Sequence, residues 1–136
     1  MTSVIVDYNS GNLHSAKKSF QLLSTELNQG EVLVSSDTDV IVKAERLILP
    51  GVGSFNDCKA NLLKKNGLFE AIEQRVIFDG VPFLGICVGH QLMATIGLEN
   101  NNKTAGFDWI SGTVTKITPS DPALKIPHMG WNTLHF

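Results

Sequence analysis

The sequence has no excess of charge of one sign and no long apolar run. Its 136 residues carry 11 basic and 13 acidic side chains, for a net charge of −2, and the isoelectric point is near 6.0. Charge-driven binding to nucleic acid or to an anionic membrane needs a basic surface, so neither partner is expected. The first residues, MTSVIVDYNSGN, lack the basic and long apolar segments of a signal peptide. Nothing approaches membrane-spanning length.

Cysteine is also scarce. Cys58 and Cys87 are the two in the chain, which is too few for a disulfide framework and fits a reducing compartment. We therefore expect a cytoplasmic protein. With 43% hydrophobic and 18% charged residues, the chain has an ordinary globular composition and enough length for one core. One domain over residues 1–136 is predicted.

Short apolar runs alternate with helical patterns along the first hundred residues. The runs predict strands at 3–7, 31–35, 46–50 and 81–86. Apolar residues three or four apart predict a helix from Asn12 that carries Leu13, Ala16, Phe20 and Leu23, and further helices at 54–66, 68–79 and 88–97. Such alternation predicts an α/β fold with a mostly parallel sheet flanked by helices. Two later segments, 111–118 and 131–136, predict strands of a second, antiparallel sheet.

Three glycine-containing loops follow predicted strands. They are YNSGN after the first strand, PGVGSF after the third and GICVGHQ after the fourth. The carboxyl ends of parallel strands meet at one edge of the sheet, where α/β proteins bind their ligands. We therefore expect the functional site at this edge.

Cys87 stands between Gly85 and Gly89, where a predicted strand gives way to a helix. A nucleophile elbow has its reactive side chain on such a turn, with small residues two places away on either side because the backbones approach closely there. A helix that begins at Val88 would favour the thiolate through its dipole, and the Val88 N–H could donate to an oxyanion. Taken alone, the pentapeptide fits a small buried cysteine at a packed junction equally well.

The PGVGS loop could supply the second oxyanion donor. After Pro50, the backbone N–H groups of Val52 and Gly53 are free to reorient, because glycine tolerates either sign of φ. An oxyanion hole needs donors from two segments aimed at one point. The alternative is a glycine turn that leads into a helix capped by Ser54, and both interpretations can hold together.

DYNSGNL, LPGVGSF, GICVGHQLM and PHMGWN, in this order and at these spacings, resemble the class I, cysteine-triad glutamine amidotransferases. Within that family they look like the glutaminase subunits of imidazole glycerol phosphate synthase, an enzyme of histidine biosynthesis. The resemblance runs from residue 3 to about residue 133. It implies a flavodoxin-like α/β fold and a glutaminase that needs neither a cofactor nor a metal ion.

The resemblance also implies roles for individual residues. Cys87 would attack the side-chain amide carbon of glutamine, and the backbone N–H groups of Val52 and Val88 would form the oxyanion hole, with the PGVG peptide turning to complete it. The residues that would hold the glutamine substrate are Gly53, Gln91 and Glu99, with the Glu99 carboxylate suited to the α-ammonium group. His90 stands where the family has an apolar residue and is not expected to be the base.

The family's partner is a (β/α)₈-barrel cyclase subunit. The resemblance implies a heterodimer in which ammonia passes through a tunnel to the cyclase, which makes imidazole glycerol phosphate. Asn12, Trp131 and Asn132 match segments that face the cyclase. Trp131 is a plausible interface anchor, but a core aromatic is an equal alternative from the sequence alone.

The family takes its histidine base and the glutamate that orients it from a His-Pro-Glu segment beyond PHMGWN. No His-x-Glu occurs in the 136 residues. None of the histidines present matches the triad position; they are His14, His90, His128 and His135. We therefore expect an amino-terminal portion of the domain, with part of the sheet missing, exposed edges and little glutaminase activity of its own.

This absence leaves alternatives to a working glutaminase subunit open. The chain could be a catalytically inert fragment, or a partner-binding remnant that docks on a cyclase without making ammonia. It could also be an amidotransferase paralogue that serves another acceptor pathway, or a different elbow-cysteine enzyme such as a thiol hydrolase. PGVGSF and PHMGWN argue against the last of these.

Overall fold

The computed structural model describes residues 1–100, 102–133 and 135. Its larger sheet contains four parallel strands, β1 (Thr2–Val6), β2 (Glu31–Ser35), β3 (Arg46–Gly51) and β4 (Phe83–Cys87), in the order β2-β1-β3-β4. All four were predicted, with bounds that coincide or shift by one or two residues. The order matches the first four strands of flavodoxin-like sheets. The predicted α/β fold with a parallel sheet is confirmed.

Helices connect these strands. They are α1 (Leu13–Glu26), α2 (Thr38–Ile41), α3 (Phe55–Leu63) and α4 (Leu68–Glu73), and α4 continues into a π-helical turn over Gln74–Phe78. Asn12 and Ser54 cap α1 and α3 with side chains that accept from backbone N–H groups, and Gly67 separates α3 from α4 with a φ of 73°. No helix in the described part of the chain has the length and apolar character needed to cross a membrane.

The one-turn helix α2 was not predicted. The segment SSDTDV looks like a polar turn, because Asp, Ser and Thr are frequent in turns. In the structure, the Asp37 carboxylate accepts from the Asp39 N–H at 2.9 Å and so starts a helix instead. Ile41 then anchors this helix in the core, where it is fully buried.

Alternate residues of the central strands face two different layers. Val4, Val6 and Leu49 point into the main core, which α2, α3 and α4 cover. Ile5 and Ile48 point the other way, towards α1. Burying each such aliphatic side chain contributes about 1.5–3 kcal/mol. Among the described residues, α1 is the one helix that packs on the second face, so this face is less well covered towards β4.

The predicted helix over 88–97 is wrong beyond its first turn. Helix α5 spans Val88–Gln91, and β5 (Ala94–Glu99) follows almost at once. Two features favour the strand. Thr95 and Ile96 are β-branched, and Gly97 lies so close to Phe55 that a Cβ on it would be 2.6 Å from the ring.

The second sheet is mixed, whereas an antiparallel sheet was predicted. Its order is β6-β5-β7, where β6 (Asn102–Ala105) is antiparallel to β5 and β7 (Ile110–Val114) is parallel to it. Strand β7 replaces the predicted strand 111–118 and ends before Thr115. The other predicted strand, 131–136, is wrong for residues 131–133 and 135, and residues 134 and 136 lie outside the described part. An alternating pattern forms a strand where a partner edge is available, and no described strand pairs with 131–133.

Candidate active site

The loops after β1, β3 and β4 meet at the carboxyl edge of the parallel sheet, as the sequence predicts. Strand pairing places Gly51, the last residue of β3, opposite Cys87, the last residue of β4. Tyr8, just beyond β1, is fully buried, and a Cβ on Gly51 would lie 2.9 Å from its hydroxyl. The PGVG loop and the Cys87 turn are therefore neighbours.

Cys87 has an unusual backbone conformation, with φ 55° and ψ −118°. Side-chain-bearing residues rarely adopt this region, which costs about 1–3 kcal/mol and is concentrated at functional sites. The two flanking glycines are required by close contacts. A Cβ on Gly89 would lie 1.9 Å from the Leu49 carbonyl oxygen, and one on Gly85 would lie 2.6 Å from the His90 Cα. This is the geometry of a strand-to-helix elbow, with an exposed thiol at its tip.

The helix behind Cys87 is shorter than the sequence suggested. Helix α5 has four residues. Few peptide dipoles therefore add together in it, and the total dipole of the helix is small. The expected support of the thiolate by a long helix is therefore reduced. Val88, the first residue of α5, is 5% exposed and follows the cysteine directly, so its N–H remains next to the sulfur.

The Val52 N–H is engaged in the structure. It donates to the Ser10 hydroxyl at 3.0 Å, and the Val52 carbonyl accepts from the same hydroxyl at 2.9 Å. The Val52 side chain is 65% exposed, and Gly53 has a φ of 105° with open space around it. In this arrangement, Val52 does not offer its N–H to an oxyanion at Cys87.

Gln91 and Glu99 share one cavity of about 350 Å³, which Phe55, Gly97, Val114 and Lys116 also line. Two of the three residues expected to hold glutamine are thus brought together. The third, Gly53, does not line this cavity, and neither does Cys87. The cavity begins one helical turn after the thiol, because Gln91 is the last residue of α5.

Glu99 has a structural contact that sequence reasoning missed. Its carboxylate accepts from the Phe55 N–H, the first backbone donor of α3, at 2.7 Å. A carboxylate at a helix N-terminus stabilises the unpaired N–H groups there. The two residues are far apart in sequence, with Glu99 at the end of β5 and Phe55 at the start of α3, so no local pattern could have indicated the bond.

Sequence reasoning also missed a buried cluster beneath the PGVG loop. Ser10 Oγ lies 3.2 Å from Cys58 Sγ, and the buried Tyr8 hydroxyl lies beside both side chains without a well-aligned hydrogen bond among the described residues. Burial, followed by the charge of Cys58, raises the pKa of Tyr8. The glycine of the YNSGN loop indicates a turn at the sheet edge, and nothing in the pattern of this loop distinguishes Tyr8 or Ser10.

The four histidines are all exposed. No hydrogen bond in the described part of the chain joins any of them to Cys87. His90 is on α5 and points to solvent, whereas the sequence suggested that it faces the sheet surface or a neighbouring helix.

The residues expected at a partner surface are accessible. Trp131 is fully exposed and is therefore not a core aromatic, and Asn132 is exposed as well. Asn12 is exposed but already has a structural role, because its side chain accepts from the Ser15 N–H at 3.1 Å and caps α1.

A cysteine held in a strained turn at the carboxyl end of a parallel strand defines the class of α/β proteins with an elbow nucleophile. Within that class, residues 4–134 match the family model of Glutamine amidotransferase class-I, and the chain belongs to this family. Similar proteins within this family share one more specific name. The chain is 54% identical over 134 residues to the imidazole glycerol phosphate synthase subunit HisH of Cereibacter sphaeroides, and 53% identical to the subunit of the same name from Ruegeria pomeroyi.

Each of these two matches covers 98% of this chain and 63% of the relative. The subunit of the same name from Rhodospirillum rubrum is 44% identical over 137 residues, covering 100% of this chain and 64% of that protein. The chain therefore spans a little under two thirds of the length of the curated relatives it matches.

Proposed function

We propose that this chain supplies the thiol and the glutamine-binding part of a glutaminase site that releases ammonia for imidazole glycerol phosphate synthesis in histidine biosynthesis. The observation that carries the proposal is the conformation of Cys87, at φ 55° on an exposed turn. A strained, accessible nucleophile next to a cavity lined by an amide and a carboxylate suits an amino-acid amide as substrate.

The proposed reaction begins when the Cys87 thiolate attacks the amide carbon of glutamine. A C–S bond forms, and the amide oxygen becomes an oxyanion that the backbone N–H of Val88 stabilises, joined by the N–H of Val52 once the PGVG peptide has turned away from Ser10. The C–N bond then breaks, the nitrogen takes up a proton and ammonia leaves, so that a glutamyl thioester remains. Water hydrolyses this thioester to glutamate and restores the thiol. Gly53, Gln91 and Glu99 hold the substrate, with Glu99 facing its α-ammonium group.

The departing nitrogen needs a proton carrier, which a histidine oriented by a carboxylate supplies in cysteine triads. The 136 residues hold no His-x-Glu, and the four histidines are exposed. We propose that the histidine and the glutamate come from residues outside these 136. The 136-residue chain alone is then expected to release little ammonia from glutamine, because the C–N bond breaks slowly when the nitrogen has no proton carrier.

We further propose that the ammonia is used by a (β/α)₈-barrel cyclase subunit, bound as the second member of a cytoplasmic heterodimer. The relatives are named as subunits of a synthase, which supports a partner, and free thiols suit the reducing cytoplasm. Trp131 is the residue expected to anchor the interface with the cyclase subunit. Trp131→Ala should weaken binding to the cyclase subunit at least about tenfold, as hot-spot aromatics do, in a sedimentation titration. Equal affinity of variant and parent would show that Trp131 does not contribute to the interface.

The proposed glutamine site is tested with the chloromethyl ketone analogue of glutamine, in which a chloromethyl group replaces the amide nitrogen. Cys87 displaces chloride and forms a C–S bond, which intact-mass analysis detects. L-Glutamine in excess should slow this labelling, and D-glutamine should not. Labelling with iodoacetamide but not with the chloroketone would favour the partner-binding remnant over a glutaminase.

Glu99→Gln separates substrate recognition from helix capping. The glutamine carbonyl can still accept from the Phe55 N–H, so α3 keeps its contact, while the charge that faces the α-ammonium group is lost. We expect L-glutamine to protect Cys87 about tenfold less well, with the midpoint of thermal unfolding lowered by a few degrees at most, because α3 keeps its hydrogen bond and loses only the charge at its N-terminus. Undiminished protection would show that Glu99 does not bind the substrate.

A further inference from the structure

The cavity that Gln91 and Glu99 share also contains one basic side chain, that of Lys116. Among the residues that line this cavity of about 350 Å³, Glu99 and Lys116 are the two that carry a charge. Gln91 and Asn100 add side-chain amides. Pockets of roughly 300–1,000 Å³ with a few polar groups are typical of small-molecule sites. The cavity therefore offers one negative group, one positive group and amides to a small polar molecule.

The second sheet brings Lys116 next to Glu99. Strands β5 and β7 are parallel, and Gly97 on β5 is paired with Val114, the last residue of β7. Two residues further along the two chain segments lie Glu99 and Lys116. Neighbouring strands are about 4.7–4.9 Å apart, and side chains two positions apart point to the same face of a sheet. The two charged side chains thus leave adjacent backbone positions towards one cavity.

Glu99 and Lys116 do not neutralise each other. The Glu99 carboxylate accepts from the Phe55 N–H at 2.7 Å. The ion pairs found in the described part of the chain do not involve Lys116, and its side chain is exposed. An ammonium group has three N–H donors. Those of Lys116 are therefore available to an anionic group of a ligand in the cavity.

The two charges match the head group of a free amino acid. Glutamine in solution is a zwitterion, whose α-ammonium and α-carboxylate groups are attached to the same carbon atom. We propose that Lys116 binds the α-carboxylate of glutamine, beside the α-ammonium group at Glu99, and so makes the site specific for free glutamine. The inference rests on the proposed function, because it assigns a further contact to the same substrate.

This contact has a consequence for specificity. With its head group between Glu99 and Lys116, glutamine extends its side-chain amide along Gln91, the last residue of α5, towards Cys87 at the start of that helix. A glutamine residue inside a peptide carries neither of the two charges. It would leave both charged groups of the cavity without a partner, and the site should therefore reject it.

Two ligands that each keep one charge of glutamine separate the roles of Lys116 and Glu99. γ-Aminobutyramide keeps the ammonium group and the amide but lacks the carboxylate. Glutaramic acid keeps the carboxylate and the amide but lacks the ammonium group. The measured quantity is the ligand concentration that halves the rate at which the chloroketone labels Cys87. Both ligands should protect the parent chain less well than L-glutamine does.

Lys116→Met removes the charge and keeps a long, unbranched side chain. It should weaken protection by L-glutamine and by glutaramic acid about threefold to tenfold, without weakening protection by γ-aminobutyramide. Glu99→Gln should weaken L-glutamine and γ-aminobutyramide but not glutaramic acid. Lys116→Arg should keep most of the protection, because a guanidinium group also binds carboxylates. A general disturbance of the cavity would weaken all three ligands together and would contradict this assignment.

Lys103→Met is the matched control. Lys103 is also exposed and is paired with Leu98, so it leaves the backbone towards the opposite face of the sheet from Glu99. It lines a neighbouring cavity but not the one that contains Gln91 and Glu99. The variant changes the net charge by the same amount and should protect Cys87 as the parent does. Equal losses in Lys103→Met and Lys116→Met would overturn the proposal.

The outcomes separate this inference from the proposed function. If Lys116→Met leaves protection by L-glutamine unchanged, or if γ-aminobutyramide protects the parent as well as L-glutamine does, the role of Lys116 is wrong and the glutaminase proposal stands. If the chloroketone does not label Cys87 of the parent, or L-glutamine does not slow this labelling, the glutaminase proposal fails and the role of Lys116 fails with it.

Discussion

At the scale of single residues, the site combines strain with crowding. Cys87 adopts a backbone conformation that suits glycine, and its two neighbouring glycines are fixed by backbone contacts. The sequence could predict the elbow because this crowding demands small residues two places on either side of the nucleophile. It could not predict that the Val52 N–H is bound by Ser10, since a serine in a glycine-containing loop has no distinctive pattern.

The strain at Cys87 predicts that the nucleophile destabilises the fold. Cys87→Gly should raise the free energy of unfolding by about 1 kcal/mol relative to Cys87→Ala, because glycine adopts φ 55° and ψ −118° without a side-chain penalty. Both variants lack the thiol, so the comparison isolates the backbone. Urea unfolding followed by circular dichroism measures the difference. An alanine variant as stable as the glycine variant would mean that the turn is relaxed.

At the scale of elements, the sequence predicted the parallel strands well and the segment after Gln91 poorly. Buried parallel strands such as β3 are short, continuous aliphatic runs bounded by turn residues, and their short length distinguishes them from helices. The residues after α5 could continue a helix or form a strand, and the contact of Gly97 with Phe55 decides for the strand. That contact joins residues about forty positions apart, so no local pattern contains it. The hydrogen bonds of Glu99 with Phe55 and of Ser10 with Val52 could not be predicted for the same reason.

Lys59 joins α3 to the segment between β6 and β7. Its ammonium group lies 4.5 Å from the ring centres of Phe69 and Phe107 and donates to the Gly106 carbonyl at 3.0 Å. Lys59→Met should lower the free energy of unfolding by about 1 kcal/mol, since it removes the cation–π contacts and the hydrogen bond. Lys64→Met is the control, because the exposed Lys64 donates to the half-buried Asn61 side chain at 3.2 Å. Equal losses in the two variants would contradict the role of Lys59.

The same lysine predicts a pH dependence. Burial lowers the pKa of Lys59 below its ordinary value of 10.5, and Glu73 offsets part of this effect. Between the lowered pKa and the ordinary one, the unfolded chain binds more protons than the folded chain, so stability rises with pH in this window. Urea titrations from pH 8 to about pH 10 should show this rise in the parent chain. The rise should be absent in Lys59→Met, and its persistence there would assign it to another group.

At the scale of the whole molecule, one face of the parallel sheet is incompletely covered. Strand β4 is at the edge of the sheet, and Leu84 and Ile86 on it are 48% and 37% exposed. A groove of about 380 Å³ lies between α1 and this strand. An unpaired strand edge beside exposed apolar side chains favours association with other chains.

We therefore expect the chain to self-associate as its concentration rises. Leu84→Lys should shift this association to a concentration about tenfold higher, because the charge lies on the edge strand and must be desolvated there. Leu22→Lys is the matched control, since Leu22 is 61% exposed on α1 and does not line the groove. Sedimentation equilibrium gives the association constants. Equal shifts in both variants would place the contact elsewhere.

The two thiols differ in accessibility, and this gives the molecule its own reporter of unfolding. Cys87 is exposed, whereas Cys58 is 1% exposed beneath the PGVG loop. A colorimetric thiol reagent should therefore count one thiol per folded chain and two per unfolded chain, without an attached probe. Because local opening of the loop and global unfolding both uncover Cys58, the denaturant dependence of its reaction rate tells which event occurs first.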